Sequence, residues 1–167
     1  MSGPPADLRV AIRLLDPRLA EWGFPRWGSA SAAGLDLHAC LDEPLILAPQ
    51  APAVLIPTGL SVRIGDPAWC GLVVPRSGLG HRGGLVLGNT IGVIDADYEG
   101  PLMISVWNRN PPHLADAAVT IAPGDRIAQF VFTRVTRPDF TIMEGAEDED
   151  EASGRGQGGF GSTGLRG

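Results

Sequence analysis

The segment Arg9-Val10-Ala11-Ile12-Arg13-Leu14 places Val10, Ile12 and Leu14 on one face of an extended chain and both arginines on the other. Successive strand side chains point to opposite faces, so this period-two pattern predicts a half-buried strand. Leu60-Ser61-Val62-Arg63-Ile64 repeats the pattern. Further strands are expected over 35–40, 45–47, 53–56, 69–74, 85–87, 91–94, 102–108, 118–121, 126–133 and 140–143. Turn residues separate them at short intervals: Pro49, Pro57, Gly65-Asp66-Pro67, Gly83-Gly84, Pro111-Pro112 and Pro123-Gly124. Many short strands with regular turns predict an all-β sandwich or barrel. One helical turn is expected around 16–22, and no internal repeat is visible.

Composition supports this. Of 167 residues, 23 are Gly and 15 are Pro, roughly twice the usual share of the two together. The longest stretch free of both is 125–137, too little for a helical bundle, because Pro inside a helix costs about 3 kcal/mol. Hydrophobic residues make up 44%, enough for one core. All 13 basic residues are Arg. Six of the 19 acids fall at Glu144, Glu147, Asp148, Glu149, Asp150 and Glu151, and the remaining 13 balance the arginines. The body is thus electroneutral, which argues against a nucleic-acid footprint. No apolar run approaches a membrane span and no signal peptide is legible, so a cytoplasmic protein is expected. Cys40 and Cys70 are too few for a disulfide framework and are expected as buried free thiols.

Two Gly-rich regions stand out. In the first, 76–100, Arg76-Ser77-Gly78 follows an apolar strand, so a guanidinium and a hydroxyl emerge at a strand end beside a Gly, a combination suited to an anionic oxygen. No Walker loop is present, because the chain has no Lys. Asp95-Ala96-Asp97 closes the apolar run 91–94; Asp95 reads either as a turn residue or as a general base at a strand end. Tyr98, the single tyrosine, reads on pattern alone as a core aromatic. The second region, 155–164, follows the acidic stretch and is either a disordered tail or a mobile lid. Its Gly residues let backbone N–H groups approach an anion, and Arg155, Ser162 and Thr163 add charge and donors. His38, His81 and His113 share no ligand spacing.

Five segments, in order, resemble the motifs of the trimeric dUTP diphosphatase (dUTPase) family. They are Ala33-Gly34-Leu35-Asp36-Leu37; Pro75-Arg76-Ser77-Gly78-Leu79; Gly88-Asn89 with Gly92-Val93-Ile94-Asp95-Ala96-Asp97-Tyr98; Gly124-Asp125-Arg126-Ile127-Ala128-Gln129; and 155–164. The resemblance runs from about Arg9 to Gly164. It implies an all-β jelly-roll or distorted-barrel subunit with a flexible C-terminal arm. The expected organisation is a flexible N-terminus (1–8), a β-barrel domain (9–143), an acidic flexible tether (144–154) and a Gly-rich lid (155–167). It further implies a homotrimer with active sites shared between subunits, in which the lid folds over a site on a neighbour.

The implied reaction is Mg²⁺-dependent hydrolysis of dUTP to dUMP and pyrophosphate, which removes dUTP and supplies dUMP for thymidylate synthesis. By matched position, Asp95 would activate water. Asn89, with the backbone of Val93 and Ile94, would read uracil, and Tyr98 would pack under the deoxyribose. Arg76, Ser77, Gly78 and Gln129 would hold phosphates, joined by Arg155, Ser162 and Thr163, while Phe160 would stack on the base and Met103 line the pocket. Asp36 would act near Mg²⁺ through water or hold Arg126 in place. No direct protein ligand to the metal is expected, because Mg²⁺ prefers substrate phosphates and water. A dCTP deaminase or bifunctional deaminase–diphosphatase on the same fold, and a catalytically idle trimeric binding module, are the rival readings.

Overall fold

Pro57 and Gly59 lie inside the longest strand, although both residue types ordinarily interrupt strands. In the computed structural model, which describes residues 8–142, strand β4 (Val54–Arg63) joins two strands expected separately at 53–56 and 60–64. Its ladder with β8 (Pro101–Asn108) runs from Val54 opposite Val106 to Pro57 opposite Met103, then slips and resumes at Ser61 opposite Pro101. The slip is a bulge that absorbs both breakers. Gly59 adopts φ +71° there, and its carbonyl accepts the Leu15 and Asp16 N–H groups at 2.7 and 3.0 Å. A side chain would be strained at that φ.

All strand pairs are antiparallel. The first sheet runs β1 (Ala11–Leu14), β4, β8, β6 (Leu85–Leu87). The second runs β2 (Leu35–His38), β10 (Arg126–Arg134), β5 (Trp69–Pro75), β7 (Gly92–Ile94). Strands β3 (Leu45–Leu47) and β9 (Val119–Ile121) form a separate ribbon. The expected helical turn is α1 (Arg18–Glu21), opened by Asp16, whose carboxylate accepts the Arg18 N–H at 2.9 Å. The all-β, jelly-roll-like architecture agrees with the expectation from sequence.

Leu60, Ile104 and Val106 of the first sheet and Leu37, Ala128 and Phe130 of the second are almost completely buried in one core. Phe130 packs edge-on against Phe132, with centroids 4.8 Å apart, and its ring occupies the space that a side chain at position 71 would need. Cys40 and Cys70 are buried free thiols, and burial pushes Cys40 up to about 11.

Three expectations need correction. Residues 140–142 form no strand; Pro138, which cannot donate a ladder hydrogen bond, follows the end of β10, and Met143 lies outside the described residues. The Gly-rich stretch after Arg76 contains an unforeseen π-helical turn, Leu79–Gly83. Finally, Ile12 and Leu14 on edge strand β1 remain 37% and 42% exposed in the single chain, despite their apolar alternation. Both sheets and the ribbon belong to one compact unit that ends at Thr136.

Candidate active site

β5 ends at Pro75, and the chain passes through Arg76 directly into a helical turn beginning at Ser77. This strand-to-turn junction borders a cleft of about 360 Å³ lined by Arg76, Ser77, Gly78, Arg82 and Gln129, among others. Gln129 reaches the cleft from β10, where it pairs with Val74 on one side and Asp36 on the other. Gly34 makes room for it: a Cβ there would lie 2.7 Å from the Gln129 Oε1.

Behind the cleft, the buried Asp36 carboxylate serves two arginines. Arg126 Nη1 donates to Oδ2 at 2.9 Å, and Arg76 Nε lies 3.4 Å from Oδ1, an ion pair without hydrogen-bond geometry. Arg76 Nη1 donates to the Arg126 carbonyl at 2.8 Å. About a quarter of the Arg76 side chain stays exposed, so the guanidinium is fixed yet still faces the cleft. Both oxygens of Asp36 thus face cations, and among the described residues no three His, Cys, Asp or Glu side chains converge on a common point. Among the described residues, the donors around Asp36 do not form a ligand set for a resident metal ion.

His38 adjoins this cluster, opposite Arg126 across the β2–β10 ladder. It is buried against Trp22 and Phe24, with Nδ1 unpartnered. Burial lowers its pKa from the ordinary 6.5; nearby Asp36 opposes this, while Arg126, Arg26 and Arg76 reinforce it.

The other expected residues form a second group. β7 is the terminal strand of its sheet, so its outer edge presents backbone donors and acceptors not used by a neighbouring strand. Asn89 precedes it in a tight turn, where its carbonyl accepts the Ile91 N–H at 2.7 Å and Thr90 takes φ +62°. Asp95 follows the strand, exposed, with its carbonyl accepting the Tyr98 N–H at 3.2 Å. The Tyr98 hydroxyl donates to the Pro101 carbonyl at 2.9 Å, two residues before Met103 on β8. Gly100 is what lets the ring stand there, since a Cβ at that position would lie 2.7 Å from Tyr98 Cζ.

The two groups are apart. Ile94 pairs with Gly71 at the start of β5, whereas Arg76 follows its end. Five residues of strand separate the level of Ile94 from Arg76, about 17 Å along β5, and Asp95 lies one residue further out. Residues Arg155, Phe160, Ser162 and Thr163 lie outside the described residues. Arg82 was not foreseen: the glycines of 78–84 hide the helical spacing that sets Arg82 over Gly78.

Two antiparallel sheets around one core, with a cleft lined by Arg76 and Arg82 at a strand end, define a jelly-roll-like protein. The dUTPase family model matches residues 20–164, and the chain belongs to that family. It is 50% identical over 157 residues to the deoxyuridine 5'-triphosphate nucleotidohydrolase of Methylibium petroleiphilum, covering 94% of this chain and 98% of that one. Against the protein of the same name from Xanthomonas oryzae pv. oryzae, identity is 48% over 167 residues, covering 99% and 100%. Among solved structures, a Staphylococcus bacteriophage 80alpha dUTPase with dUpNHpp superposes with a TM-score of 0.77 at 27% identity, covering 94% of this chain and 99% of that one. A dUTPase variant from phage phi11 of S. aureus, described with a structural Mg(II) ion, gives 0.69 at 26% identity, covering 82% and 97%.

Proposed function

We propose that this chain hydrolyses dUTP to dUMP and pyrophosphate at sites assembled from copies of itself, three in a homotrimer. The carrying observation is the separation of Asp95 from Arg76 by the length of β5. One chain offers a carboxylate beside an open strand edge at one end and an arginine cleft at the other. A nucleotide spanning both functions takes the β7 half-site from one copy and the cleft from another. Exposed apolar side chains at Ile12, Leu14, Leu55 and Val93 supply surface for such contacts.

In this reading the backbone edge of Val93 and Ile94, with Asn89, pairs with the uracil edge. Cytosine reverses a donor and an acceptor, and each mismatched buried group costs roughly 1–3 kcal/mol. Tyr98, fixed by Pro101, packs against the deoxyribose and leaves no space for a 2′-hydroxyl, with Met103 beside it. Arg76, Ser77, Gly78 and Gln129 hold the phosphates, and Asp36 positions Arg76. The lid residues Arg155, Phe160, Ser162 and Thr163 complete the enclosure. Asp95 takes a proton from water as the bond between the α- and β-phosphates is cleaved. Mg²⁺ bound to the triphosphate would screen its charge, chemistry that calls for substrate phosphates and water rather than a cluster of protein carboxylates.

Pyrophosphate release measured across dUTP, dCTP, dTTP and UTP tests the reading, alongside the mass in solution. dUTP is expected to be turned over far faster than the others by a trimer. Ammonia release from dCTP would favour a deaminase, and no turnover at all a binding module.

A further inference from the structure

We propose that Arg82 is a further phosphate ligand, contributing a second guanidinium to the cleft that Arg76 borders. The proposal rests on the phosphate-binding reading of that cleft. Arg82 lines it together with Arg76, Ser77, Gly78 and Gln129. Its guanidinium lies over the bare backbone of Gly78, with Nη2 3.2 Å from where a Cβ would stand. The two arginines are in different states. Arg76 is committed to Asp36 and to the Arg126 carbonyl. Arg82 has no hydrogen bond or ion pair among the described residues, so binding an anion breaks no existing contact there.

The backbone that carries Arg82 is braced by the two residues that follow β8. Arg109 grips the Gly80 carbonyl with Nε at 3.1 Å and Nη2 at 2.8 Å, and Asn110 Nδ2 donates to the Gly83 carbonyl at 3.0 Å. From the other side, the Gly80 N–H donates to the Arg76 carbonyl at 3.0 Å, tying the turn to the residue that faces the same cleft. A planar fork with five donors, held on a braced turn in a cleft that a second guanidinium also lines, suits a polyphosphate better than a single carboxylate. The chain contains no Lys to substitute for it.

The test compares wild type with Arg82→Gln and Arg82→Lys, titrated with inorganic tripolyphosphate, a non-hydrolysable dUTP analogue and deoxyuridine. Arg82→Gln is expected to weaken the two polyphosphate ligands about tenfold, the scale of one solvent-accessible charge-assisted contact. Arg82→Lys should recover part of that loss, deoxyuridine affinity should change less than twofold, and the thermal midpoint should stay put. Tripolyphosphate binding that is equal in wild type and Arg82→Gln, or absent from both, overturns the assignment, as does an equal loss for deoxyuridine. Wild-type turnover of dUTP is read separately. Loss of tripolyphosphate binding in Arg82→Gln without wild-type turnover would keep Arg82 as an anion ligand and remove the dUTPase activity.

Discussion

Asp36 Oδ2 accepts a 2.9 Å hydrogen bond from Arg126 Nη1, joining β2 to β10 by a buried carboxylate and a partly exposed guanidinium. The same carboxylate steadies Arg76 at the cleft. Asp36→Asn leaves both arginines without their counter-charge. Partial exposure of the two guanidinium groups limits the stability loss to about 1–2 kcal/mol. Urea denaturation checks that figure. Because Arg76 loses its anchor, kcat/KM for dUTP should fall at least about tenfold. An unchanged kcat/KM would separate Asp36 from the site.

Asp95 is exposed, so Asp95→Asn should keep the thermal midpoint and the affinity for a non-hydrolysable analogue. Turnover should fall by roughly 10²–10⁴, the usual worth of a general base. A chain ending at Glu151 should fold, since the core lies within the compact unit that ends at Thr136, yet hydrolyse dUTP poorly. Mixing the two defective chains should restore partial activity if sites are shared. Verified mixed trimers with no restored activity would count against sharing.

His38 links stability to pH. Its pKa in the folded protein is depressed, chiefly by burial, below the ordinary 6.5. The unfolded chain therefore binds the proton more readily. Stability is fully present above about pH 6.5 and declines as pH falls toward the depressed folded value. The facing groups are Asp36, which opposes the shift, and Arg126, Arg26 and Arg76, which reinforce it. Denaturation midpoints between pH 7 and pH 5 should drop more steeply for wild type than for His38→Gln. Equal slopes would remove His38 from the linkage.

Gly71→Ala should destabilise the fold by about 1–3 kcal/mol, the cost of overpacking. An added Cβ would come within 3.1 Å of three Phe130 ring carbons, and Phe130 has no freedom to retreat. A melting temperature equal to wild type would show that the ring can shift.

Strand positions were largely legible because alternation is a local property: β3 and β6 match their expected limits, and β5, β8 and β10 match to within a residue. Pro57 misled as a turn residue, since only the partner β8 shows that the strand runs on through a bulge between Pro57 and Ser61. The π-helical turn was hidden by its glycines, and Arg82 with it. The separate motifs around Asp36, Arg76 and Gln129 were recognisable, but not their mutual distances.

The sequence by itself determined an all-β chain, because period-two alternation and frequent Gly and Pro exclude long helices and encode strands residue by residue. It also marked the motif residues of the dUTPase family. Only the tertiary structure decided which of them meet. Asp36 and Arg126 are 90 residues apart in the chain, yet strand pairing brings them into hydrogen-bond contact. Asp95 and Arg76 are far closer in sequence, yet an extended strand holds them at opposite ends. Side-chain chemistry is local, whereas proximity is set by strand register, which depends on residues far away along the chain.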